Sequence, residues 1–459
     1  MERNKVPRVS AARPEIPHRP GRAPRPWFVD AGVGLVGLGF GVTLALGIMA
    51  ETWRSLAAPG GWLIAGGRLA GLTGTYLMLV MVLLIARIPW VERVVGQERL
   101  VRWHRQIGPW PVSLIALHVV LITLGYAQLA KVGALRQLWV FLTSYPDLLA
   151  AMVAFGLLVM AALTSIRIAR RRLKYETWWV VHLYTYLALS LAFAHQIVTG
   201  GSFIGHPLAR VFWVVIWAMT AGVVIVFRLL YPVVRSLRHQ LRVVSVREEA
   251  PGVFSVVCSG RHLDRLAISG GQFFKWRFLT NELWWHAHPY SLSALPRPPY
   301  LRVTIKGLGD QSRAAANLKP GTRVAIEGPY GAFTKHARSS DHVVLIGAGV
   351  GITPLRALLE DLPKRVDVSV VIRATTPADI VHRDEVATLV KQRGGRLHEI
   401  VGTRHKVRFD AEALRRLVPG IAGCDVYVCG PSGFSEGVVI SAMRLGVSRE
   451  RIHEEAFAF

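Results

Sequence analysis

Cysteine and acidic residues are scarce in this chain. Its 459 residues include three cysteines (Cys258, Cys424 and Cys429) and 29 Asp or Glu against 55 Lys or Arg. Three cysteines cannot build a disulfide framework, and they are one thiolate short of the set that an iron–sulfur cluster normally needs. The pattern of an EF-hand calcium loop is absent as well. Any bound iron must therefore be held by other ligands.

The net charge of +26 does not indicate nucleic-acid binding, because of where the charges lie. Seven Lys or Arg residues fall in the proline-rich segment 1–26, which has almost no apolar pattern and is predicted to be a disordered tail. Many of the others cluster at the ends of long apolar runs. Hydrophobic residues make up 52% of the chain, which excludes a disordered or collagen-like protein. The distribution is typical of a membrane protein, and no nucleic-acid partner is expected.

Six apolar runs approach or exceed the roughly 20 residues needed to cross the hydrocarbon core of a bilayer. They are residues 28–50, 69–88, 106–126, 148–166, 178–199 and 211–230. Basic residues are concentrated before the first run, after the second and after the fourth. The positive-inside rule therefore predicts an integral protein of the plasma or cell membrane with both termini in the cytoplasm. The first run is long and is followed by others, so we interpret it as a retained helix and not a signal peptide.

Four histidines are associated with two of these spans. His104 and His118, 14 residues apart, belong to the third span, and His182 and His195, 13 residues apart, belong to the fifth. On a helix either spacing is about 20 Å along the axis, and both helices start on the same side. The pattern predicts one imidazole from each helix at each of two depths, which would fill both axial positions of two stacked haems. Because a 13-residue offset turns a helix by roughly 220°, the fifth span is expected to bend, bulge or tilt.

Other interpretations of these polar residues remain open. The histidines could be scattered core residues, a proton relay or zinc ligands, although zinc favours a compact tetrahedral cluster. Ionisable residues within spans are usually functional. Arg68, at the outer end of the second span, either pairs with a haem propionate or is a snorkelling surface charge. Trp110 either lines the gap between two haems or packs at an interface.

The stretch from Arg170 to Trp178, leading into His182, resembles the transmembrane family of ferric reductases and NADPH oxidases. In that family, paired histidines on the third and fifth helices hold two b-type haems. The resemblance implies an inner haem b held by His104 and His182. It implies an outer haem b held by His118 and His195.

After the sixth span the pattern changes to short alternating segments. Residues 241–258 and 301–306 are predicted strands, which suggests a small antiparallel barrel. The segment His288-Pro289-Tyr290-Ser291 offers a ring that can stack on a flat ligand and a hydroxyl that can bond to its edge. Lys306 and Ser312 flank a glycine turn that either meets a pyrophosphate or is an ordinary turn.

The last region begins with a short apolar strand at 342–346. Gly347-Ala348-Gly349-Val350-Gly351-Ile352-Thr353-Pro354 follows, and then a helix. Thr353 suits the N-cap and Pro354 the first helical position. A strand, a glycine turn and a helix in this order form the context of a dinucleotide phosphate site, here including Gly347, Gly349, Gly351 and Thr353.

Further strands near 367–372, 396–401 and 425–429 predict a parallel sheet, whose ligands bind at the carboxyl ends of the strands. Arg373 lies at such an end and either binds the 2′-phosphate of NADPH or is a solvated surface residue. Cys429 lies at the end of another strand. Without a ligand role, it is interpreted as a buried structural thiol.

This half is similar to the flavin and nucleotide domains of the ferredoxin–NADP reductase superfamily. The similarity is carried by four segments, namely Gly271-Gln272-Phe273, His288–Ser293, Glu327-Gly328-Pro329-Tyr330-Gly331 and Glu455-Ala456-Phe457-Ala458-Phe459. It implies that Tyr290 stacks on the flavin ring and Ser291 bonds near N5. His288 and Lys306 would lie near the pyrophosphate or the ribityl chain.

The same resemblance places Cys429, Gly430 and Pro431 beside the nicotinamide. It implies that a terminal aromatic covers the flavin face and yields to the nicotinamide, a role for Phe457 or, alternatively, Phe459. The expected catalytic residues are Tyr290, Ser291, Cys429, Phe457 and Phe459. The expected cofactor-binding residues are His288, Pro289, Tyr290, Ser291, Lys306, Ser312, Gly347, Gly349, Gly351, Thr353, Arg373, Cys429, Gly430 and Pro431.

The sequence thus predicts a multidomain protein with a six-helix transmembrane bundle, an antiparallel β-barrel and an α/β parallel-sheet domain. The expected parts are a disordered basic cytoplasmic tail (1–26), a transmembrane di-haem domain (27–231), an FAD-binding β-barrel (238–336) and an NAD(P)H-binding domain (337–459). In this hypothesis electrons pass from cytoplasmic NADPH or NADH through FAD and two haems b. The membrane lipid surrounds the spans, and the extracytoplasmic acceptor is a ferric chelate or dioxygen. The alternatives are a cytochrome that relays electrons to a partner protein, and a transporter or proton channel with a regulatory flavin domain.

Overall fold

The chain divides into two compact units that meet in sequence at Val234 and Arg235. The computed structural model describes residues 27–173, 175–284, 287–403, 407 and 409–457. The predicted tail, residues 1–26, lies outside these ranges. The described secondary-structure elements of the first unit are all helices, and the second unit contains two sheets.

The helices of the first unit follow the predicted apolar runs. They are α1 (Trp27–Met49), α2 (Trp53–Ala57), α3 (Gly61–Leu84), α4 (Pro89–Val95), α5 (Gln97–Ile107), α6 (Pro109–Ala130), α7 (Ala134–Ser144), α8 (Pro146–Ser165), α9 (Arg167–Arg172), α10 (Tyr175–Val198), α11 (Pro207–Val224) and α12 (Tyr231–His239). A π-helical segment, Ile225–Leu230, connects α11 to α12. Six segments of the described residues are long and apolar enough to cross a membrane, which confirms the six predicted spans.

The third span is assigned as two helices, α5 with His104 and α6 with His118, with Gly108 alone between them. The backbone of Gly108 is itself helical (φ −46°, ψ −42°), and its N–H donates to His104 O at 3.0 Å, so the helical path continues across the junction. Helix α10, which carries His182 and His195, is also uninterrupted and contains no bulge. A bend or tilt of the fifth span stays a prediction.

Glycines on α3 let α6 pack closely against it. A Cβ added at Gly67 would lie 2.9 Å from Ile122 Cγ1, and one added at Gly71 would lie 2.6 Å from His118 Nδ1. Both distances are shorter than real Cβ atoms tolerate. Small residues at such positions are typical of helix pairs inside membranes. The stretch around Gly71 therefore fixes where His118 lies.

The first sheet of the second unit is antiparallel, with strand order β4-β3-β6-β1-β2-β5. Its strands are β1 (Leu241–Ala250), β2 (Val253–Ser259), β3 (Phe273–Phe278), β4 (His288–Ser291), β5 (Tyr300–Lys306) and β6 (Arg323–Tyr330). A single bridge, Leu292 to Val303, connects the chain after β4 to β5, so the barrel is not closed by a continuous ladder. The predicted strand region 241–258 consists of two strands, β1 and β2. Pro251 and Gly252, the latter at φ +68°, turn the chain into a hairpin.

The second sheet is parallel, with strand order β11-β10-β7-β8-β9, which confirms the predicted α/β domain. Its strands are β7 (His342–Ala348), β8 (Asp367–Ala374), β9 (Arg396–Val401), β10 (Asp425–Pro431) and β11 (Ile452–Phe457). The helices of this unit are α13 (Asp310–Ala314), which belongs to the first sheet domain, and α14 (Ile352–Asp361), α15 (Arg383–Gln392), α16 (Ala411–Leu417) and α17 (Ser432–Arg444). The N-cap assignment of Thr353 is wrong. Helix α14 begins at Ile352, two residues before the predicted first helical position, and Thr353 is buried in its first turn with Oγ1 donating to Val350 O at 2.8 Å.

Charged side chains join the two sheets of the second unit. Arg302 on β5 donates to both carboxylate oxygens of Glu385 on α15, at 2.6 and 2.7 Å. Arg356 on α14 contacts the same carboxylate at 2.8 Å. His382 lies beside this cluster with a fully buried side chain, and its Nε2 is 2.9 Å from Thr304 Oγ1. Burial, and then the positive charge of Arg302, lower the pKa of His382 to about 3.

Loss of the buried neutral histidine should reduce the acid sensitivity of folding. Between pH 6.5 and 3 the unfolded chain protonates His382 and the folded chain does not, so acid lowers the free energy of unfolding by up to about 1.4 kcal/mol per pH unit. His382→Gln keeps a side chain that can bond to Thr304 and should flatten this slope. Denaturant unfolding of the second unit, followed from pH 6.5 to pH 5, measures it.

An exposed histidine of the same unit, His336, provides the control. His336→Gln should keep the wild-type slope. The range from pH 6.5 to pH 5 lies above the pH at which protonation of Glu385 changes the free energy of unfolding. The hydrogen bond from Arg302 lowers the pKa of Glu385 to about 2. Equal slopes in His382→Gln and the wild type would contradict the prediction.

Candidate functional site

The four span histidines form two facing pairs. The ring centres of His104 and His182 are 6.1 Å apart, and those of His118 and His195 are 6.3 Å apart. A metal ion between two imidazoles requires about 2 Å to each nitrogen and about 1 Å more to each ring centre, which totals about 6 Å. Each pair is therefore spaced to hold one metal ion by two axial nitrogens. This is the donor set of a haem iron with both axial positions filled.

The Nδ1 atoms of the third-span histidines face carbonyls of α3. His104 Nδ1 lies 3.1 Å from Met81 O, and His118 Nδ1 lies 2.7 Å from Gly67 O. A carbonyl can only accept, so Nδ1 carries the proton in each ring. Nε2 is then a free lone-pair donor, as an iron ligand requires. One helix thus sets the orientation of both rings.

The inner histidine of α10 is held by an aromatic ring and a hydroxyl. The rings of Trp178 and His182 stack at 5.1 Å with an interplanar angle of 22°. Trp178 Nε1 donates to Ser165 Oγ at 3.2 Å, and the same oxygen is 3.5 Å from His182 Nδ1. Arg170 Cζ lies 4.6 Å from the centre of the Trp178 ring. These contacts fix the plane of the His182 ring. The sequence did not predict this role for Trp178, although the residue ends the stretch from Arg170 to Trp178 that carries the family resemblance.

A cavity of about 450 Å³ surrounds the outer pair. His118 and His195 contribute to its wall, together with apolar side chains of α3, α6, α7, α8 and α10. The volume and the apolar lining are typical of small-molecule and cofactor sites. The residues present therefore fit a large flat apolar group held by two imidazoles.

Arg68 and Trp110 have different surroundings. Arg68 lines the cavity, and its Nη1 lies 2.9 Å from Glu51 Oε1, so it is ion-paired at the wall and not a solvated surface charge. A propionate contact for Arg68 stays a prediction. The Trp110 side chain is 67% exposed, which fits an interface residue and not a residue between the two histidine layers.

Zinc was one alternative for the histidines. Within the described ranges, no group of three or more His, Cys, Asp or Glu side chains is arranged to hold a metal ion. Each histidine pair supplies only two ligands, which suits a metal ion whose other ligands come from a cofactor ring.

In the second unit, three segments named from the sequence meet on adjacent strands. Ser291 on β4 pairs with Phe273 on β3, and Phe273 pairs with Tyr330 on β6. Ser291 Oγ is buried and has no hydrogen-bond partner among the described residues. Burial raises the pKa of Tyr290 to about 12, so its phenol stays protonated at neutral pH. A buried hydroxyl without a partner beside an aromatic ring suits the polar edge of a flat ligand.

His288 and Pro289 precede Tyr290 on the same strand. The rings of His288 and Tyr290 stack at 5.8 Å with an interplanar angle of 25°. Pro289 is exposed, and its position pairs with Lys275 on β3. Strand β4 therefore presents the four motif residues in one extended segment.

The structure separates Lys306 and Ser312. Lys306 ends β5 and lines a second cavity, described below, together with the glycine loop. Ser312 Oγ accepts from the N–H groups of Leu308 and Gly309, each at 2.9 Å, and so caps the short helix α13. The turn interpretation accounts for Ser312, and its pyrophosphate contact stays a prediction.

The glycine loop lies at the carboxyl end of the parallel sheet, next to a cavity of about 390 Å³. Gly347 pairs with Cys429 on the neighbouring strand. Gly349 has φ +55° and open space where a side chain would be, so its backbone is accessible to a ligand. A Cβ on Gly351 would lie 2.2 Å from Cys429 O, so only glycine permits this close approach to β10.

Arg373 is buried and donates to backbone carbonyls. Its Nη1 bonds to Ala374 O at 2.7 Å and Ile400 O at 3.0 Å, and its Nη2 bonds to Val407 O at 3.3 Å. These bonds make Arg373 a support for the wall of the cavity. It is not the solvated residue that one interpretation assumed, and binding of a 2′-phosphate stays a prediction.

The cysteine motif and the C-terminal motif are neighbours. Cys429 pairs with Glu455, and Pro431 pairs with Phe457, along the parallel strands β10 and β11. Cys429 is fully buried, and burial followed by the charge of Glu455 raises the pKa of its thiol well above the usual value. The backbone of Phe457 is described, whereas Phe459 lies outside the described residues.

Comparisons with known proteins cover both units. Residues 70–193 match the family described as ferric reductase like transmembrane component. Residues 345–439 match the oxidoreductase NAD-binding domain. The first match contains His104, His118 and His182 and ends two residues before His195.

Two curated relatives illustrate the similarity. The glycine betaine monooxygenase reductase subunit of Pseudomonas aeruginosa is 28% identical over 206 residues, which are 40% of this chain and 56% of that protein. The flavohemoprotein of Vibrio cholerae is 32% identical over 182 residues, 37% of this chain and 45% of that protein. The chain spans about half the length of the curated relatives it matches.

Among solved structures, the flavohem-like FAD/NAD-binding domain of nitric oxide dioxygenase from Vibrio cholerae is similar to this chain. It is 26% identical, covers 48% of this chain and 98% of its own, and has a TM-score of 0.41.

Substitution of Gly351 should disturb the glycine loop. Gly351→Ala places a Cβ against Cys429 O, so either the loop or β10 must move, at a cost of about 1–3 kcal/mol in the free energy of unfolding. Nucleotide affinity should fall as well, because the loop lines the cavity. Gly420→Ala is the control, since a Cβ at Gly420 meets nothing within 4 Å. Denaturant unfolding and nucleotide titration measure the two effects, and equal stability of both variants would refute the close contact.

Proposed function

The chain joins a ferric reductase-like transmembrane domain to an oxidoreductase NAD-binding domain, and from this premise we propose that it carries electrons from NADH or NADPH across a membrane. The route passes through FAD and two haems b to a ferric chelate or dioxygen on the opposite side. The observation that carries the proposal is the pairing of four imidazoles at ring distances of 6.1 and 6.3 Å.

The membrane unit supplies the ligands and the apolar enclosure for haem. His104 with His182, and His118 with His195, would hold one iron each through Nε2. Haem adds one-electron redox chemistry in a region of the membrane that otherwise excludes charge. Because two imidazoles would hold each iron, the acceptor would receive electrons without binding it.

The second unit supplies the sites for the flavin and the nucleotide. Ser291 Oγ would donate to the flavin edge, and the Tyr290 ring would lie against the flavin plane. The N–H groups around Gly349 would bind phosphate oxygens, as such loops do at helix N-termini. FAD accepts two electrons as a hydride and releases them singly, which a haem requires. Both termini and this unit are proposed to be cytoplasmic, on the basis of the basic connections.

The first test is the visible spectrum of the chain purified in mild detergent. We expect two b-type haems per chain, and we expect them to be reduced on addition of NADH or NADPH with FAD in the absence of oxygen. His104→Ala and His195→Ala should each lower the ratio from two haems to one, because each removes an axial ligand of a different pair. Haem extraction with pyridine measures this ratio.

His206 provides the matched control. It precedes α11 in the same unit, is exposed and faces none of the four histidines in the described structure, so His206→Ala should keep both haems. A wild-type chain without haem would refute the assignment. Haem that neither NADH nor NADPH reduces would favour an external donor and the relay interpretation.

The flavin site is tested separately with Ser291→Ala. The variant loses the hydroxyl proposed to bond near N5, so reduction of bound flavin by the nucleotide should slow by about tenfold, the value of one hydrogen bond. Flavin content should stay near one per chain. Stopped-flow absorbance of the flavin measures the rate. Ser293→Ala is the control, because Ser293 Oγ accepts a bond from Arg302 Nε at 3.1 Å and faces a different partner. Equal rates for Ser291→Ala and the wild type would remove Ser291 from the site.

A further inference from the structure

One of the four histidines is linked to a carboxylate. His104, His118 and His182 face carbonyl or hydroxyl oxygens, as described above. His195 Nδ1 lies 3.4 Å from Thr199 Oγ1, and that oxygen lies 2.8 Å from Asp147 Oδ2. The three side chains form a chain from an imidazole through a hydroxyl to an acid.

The direction of this chain follows from its acceptors. Thr199 Oγ1 has one proton and two acceptors in reach, Asp147 Oδ2 at 2.8 Å and the backbone oxygen of His195 at 2.9 Å. A carboxylate is the stronger acceptor because hydrogen bonds to ionised groups are the stronger ones. The lone pairs of the hydroxyl then face His195, whose Nδ1–H donates. Such linked bonds polarise one another in an environment of low dielectric.

Asp147 lies at a helix N-terminus. It is in the first turn of α8, where the backbone N–H groups and the helix dipole complement a carboxylate. It also begins a candidate membrane span of mean hydropathy 2.3. In the sequence it stands immediately before the predicted apolar run 148–166.

We propose that Asp147 is a positioning residue that, through Thr199, makes His195 a more basic iron ligand and lowers the reduction potential of the outer haem. Partners of the second ring nitrogen tune a metal in this way, since they raise the basicity of the ligating nitrogen. A more basic ligand and a nearby negative charge both favour ferric over ferrous iron. This inference rests on the proposed function, because it requires that His118 and His195 hold a haem.

The consequence is an asymmetry between the two layers. Within the described residues, the hydrogen bonds of the inner pair lead to a carbonyl and a hydroxyl and not to a carboxylate, whereas those of the outer pair reach Asp147. An outer haem of lowered potential donates more readily to a weak oxidant on its side of the membrane. The acid thus acts on the last transfer step without touching the acceptor.

The test is a redox titration of the full-length protein in detergent, followed by haem absorbance and by electron paramagnetic resonance of the ferric state. Asp147→Asn and Thr199→Val should each shift the reduction equilibrium of one haem about tenfold toward the ferrous form, equivalent to ~59 mV for one electron. The second midpoint should not move. Thr199→Ser keeps the hydroxyl and should restore the wild-type midpoint.

Asp30→Asn is the matched charge control. Asp30 also lies in the first turn of a span helix, α1, and is exposed, so its neutralisation should leave both midpoints unchanged. Two haems with unchanged midpoints in Asp147→Asn would overturn the inference and leave the proposed function intact. If Asp147→Asn loses a haem, the comparison of Thr199→Val with Thr199→Ser provides the test. Equal midpoints in these two variants would overturn the inference. A wild-type chain without haem overturns both proposals.

Discussion

The gap between facing imidazole rings constrains the membrane unit more than any other feature. Ring separations of 6.1 and 6.3 Å leave room for one ion between each pair and for no side chain. The two helices that carry the outer histidines therefore pack chiefly against third helices and not against each other. Helix α6 packs along α3, and α10 packs along α8. The cavity opens between these two packed pairs, and its apolar wall follows from the apolar composition of the spans.

Helix α3 connects the two layers. Gly67 and Met81, whose carbonyl oxygens face His118 and His104, are themselves 14 residues apart on this helix, about 20 Å along its axis. The spacing of the acceptors thus equals the spacing of the histidines on the third span. The two histidines on α10 face hydroxyl groups instead of carbonyls. One of these hydroxyls, that of Thr199, connects the His195 ring to Asp147.

The sequence was sufficient for features set by composition and local pattern. Hydropathy identified six spans, and the order of strands and glycine turns identified the parallel sheet. The alternation of residues 241–258 concealed a hairpin, because Pro251 and Gly252 turn the chain without interrupting the apolar pattern. The 13-residue offset on α10 suggested a bulge as one possibility, and α10 contains none.

Partners that come from distant parts of the chain could not be read from residue type. Arg373 has the chemistry of a phosphate ligand, yet its nitrogens bond to carbonyls of Ile400 and Val407. Ser291 has an ordinary hydroxyl, yet burial leaves it without a partner among the described residues. A buried polar atom left without a partner is costly, so such an atom is a better indicator of a ligand site than a charge already satisfied. By this criterion the flavin-edge role is better supported for Ser291 than the 2′-phosphate role is for Arg373.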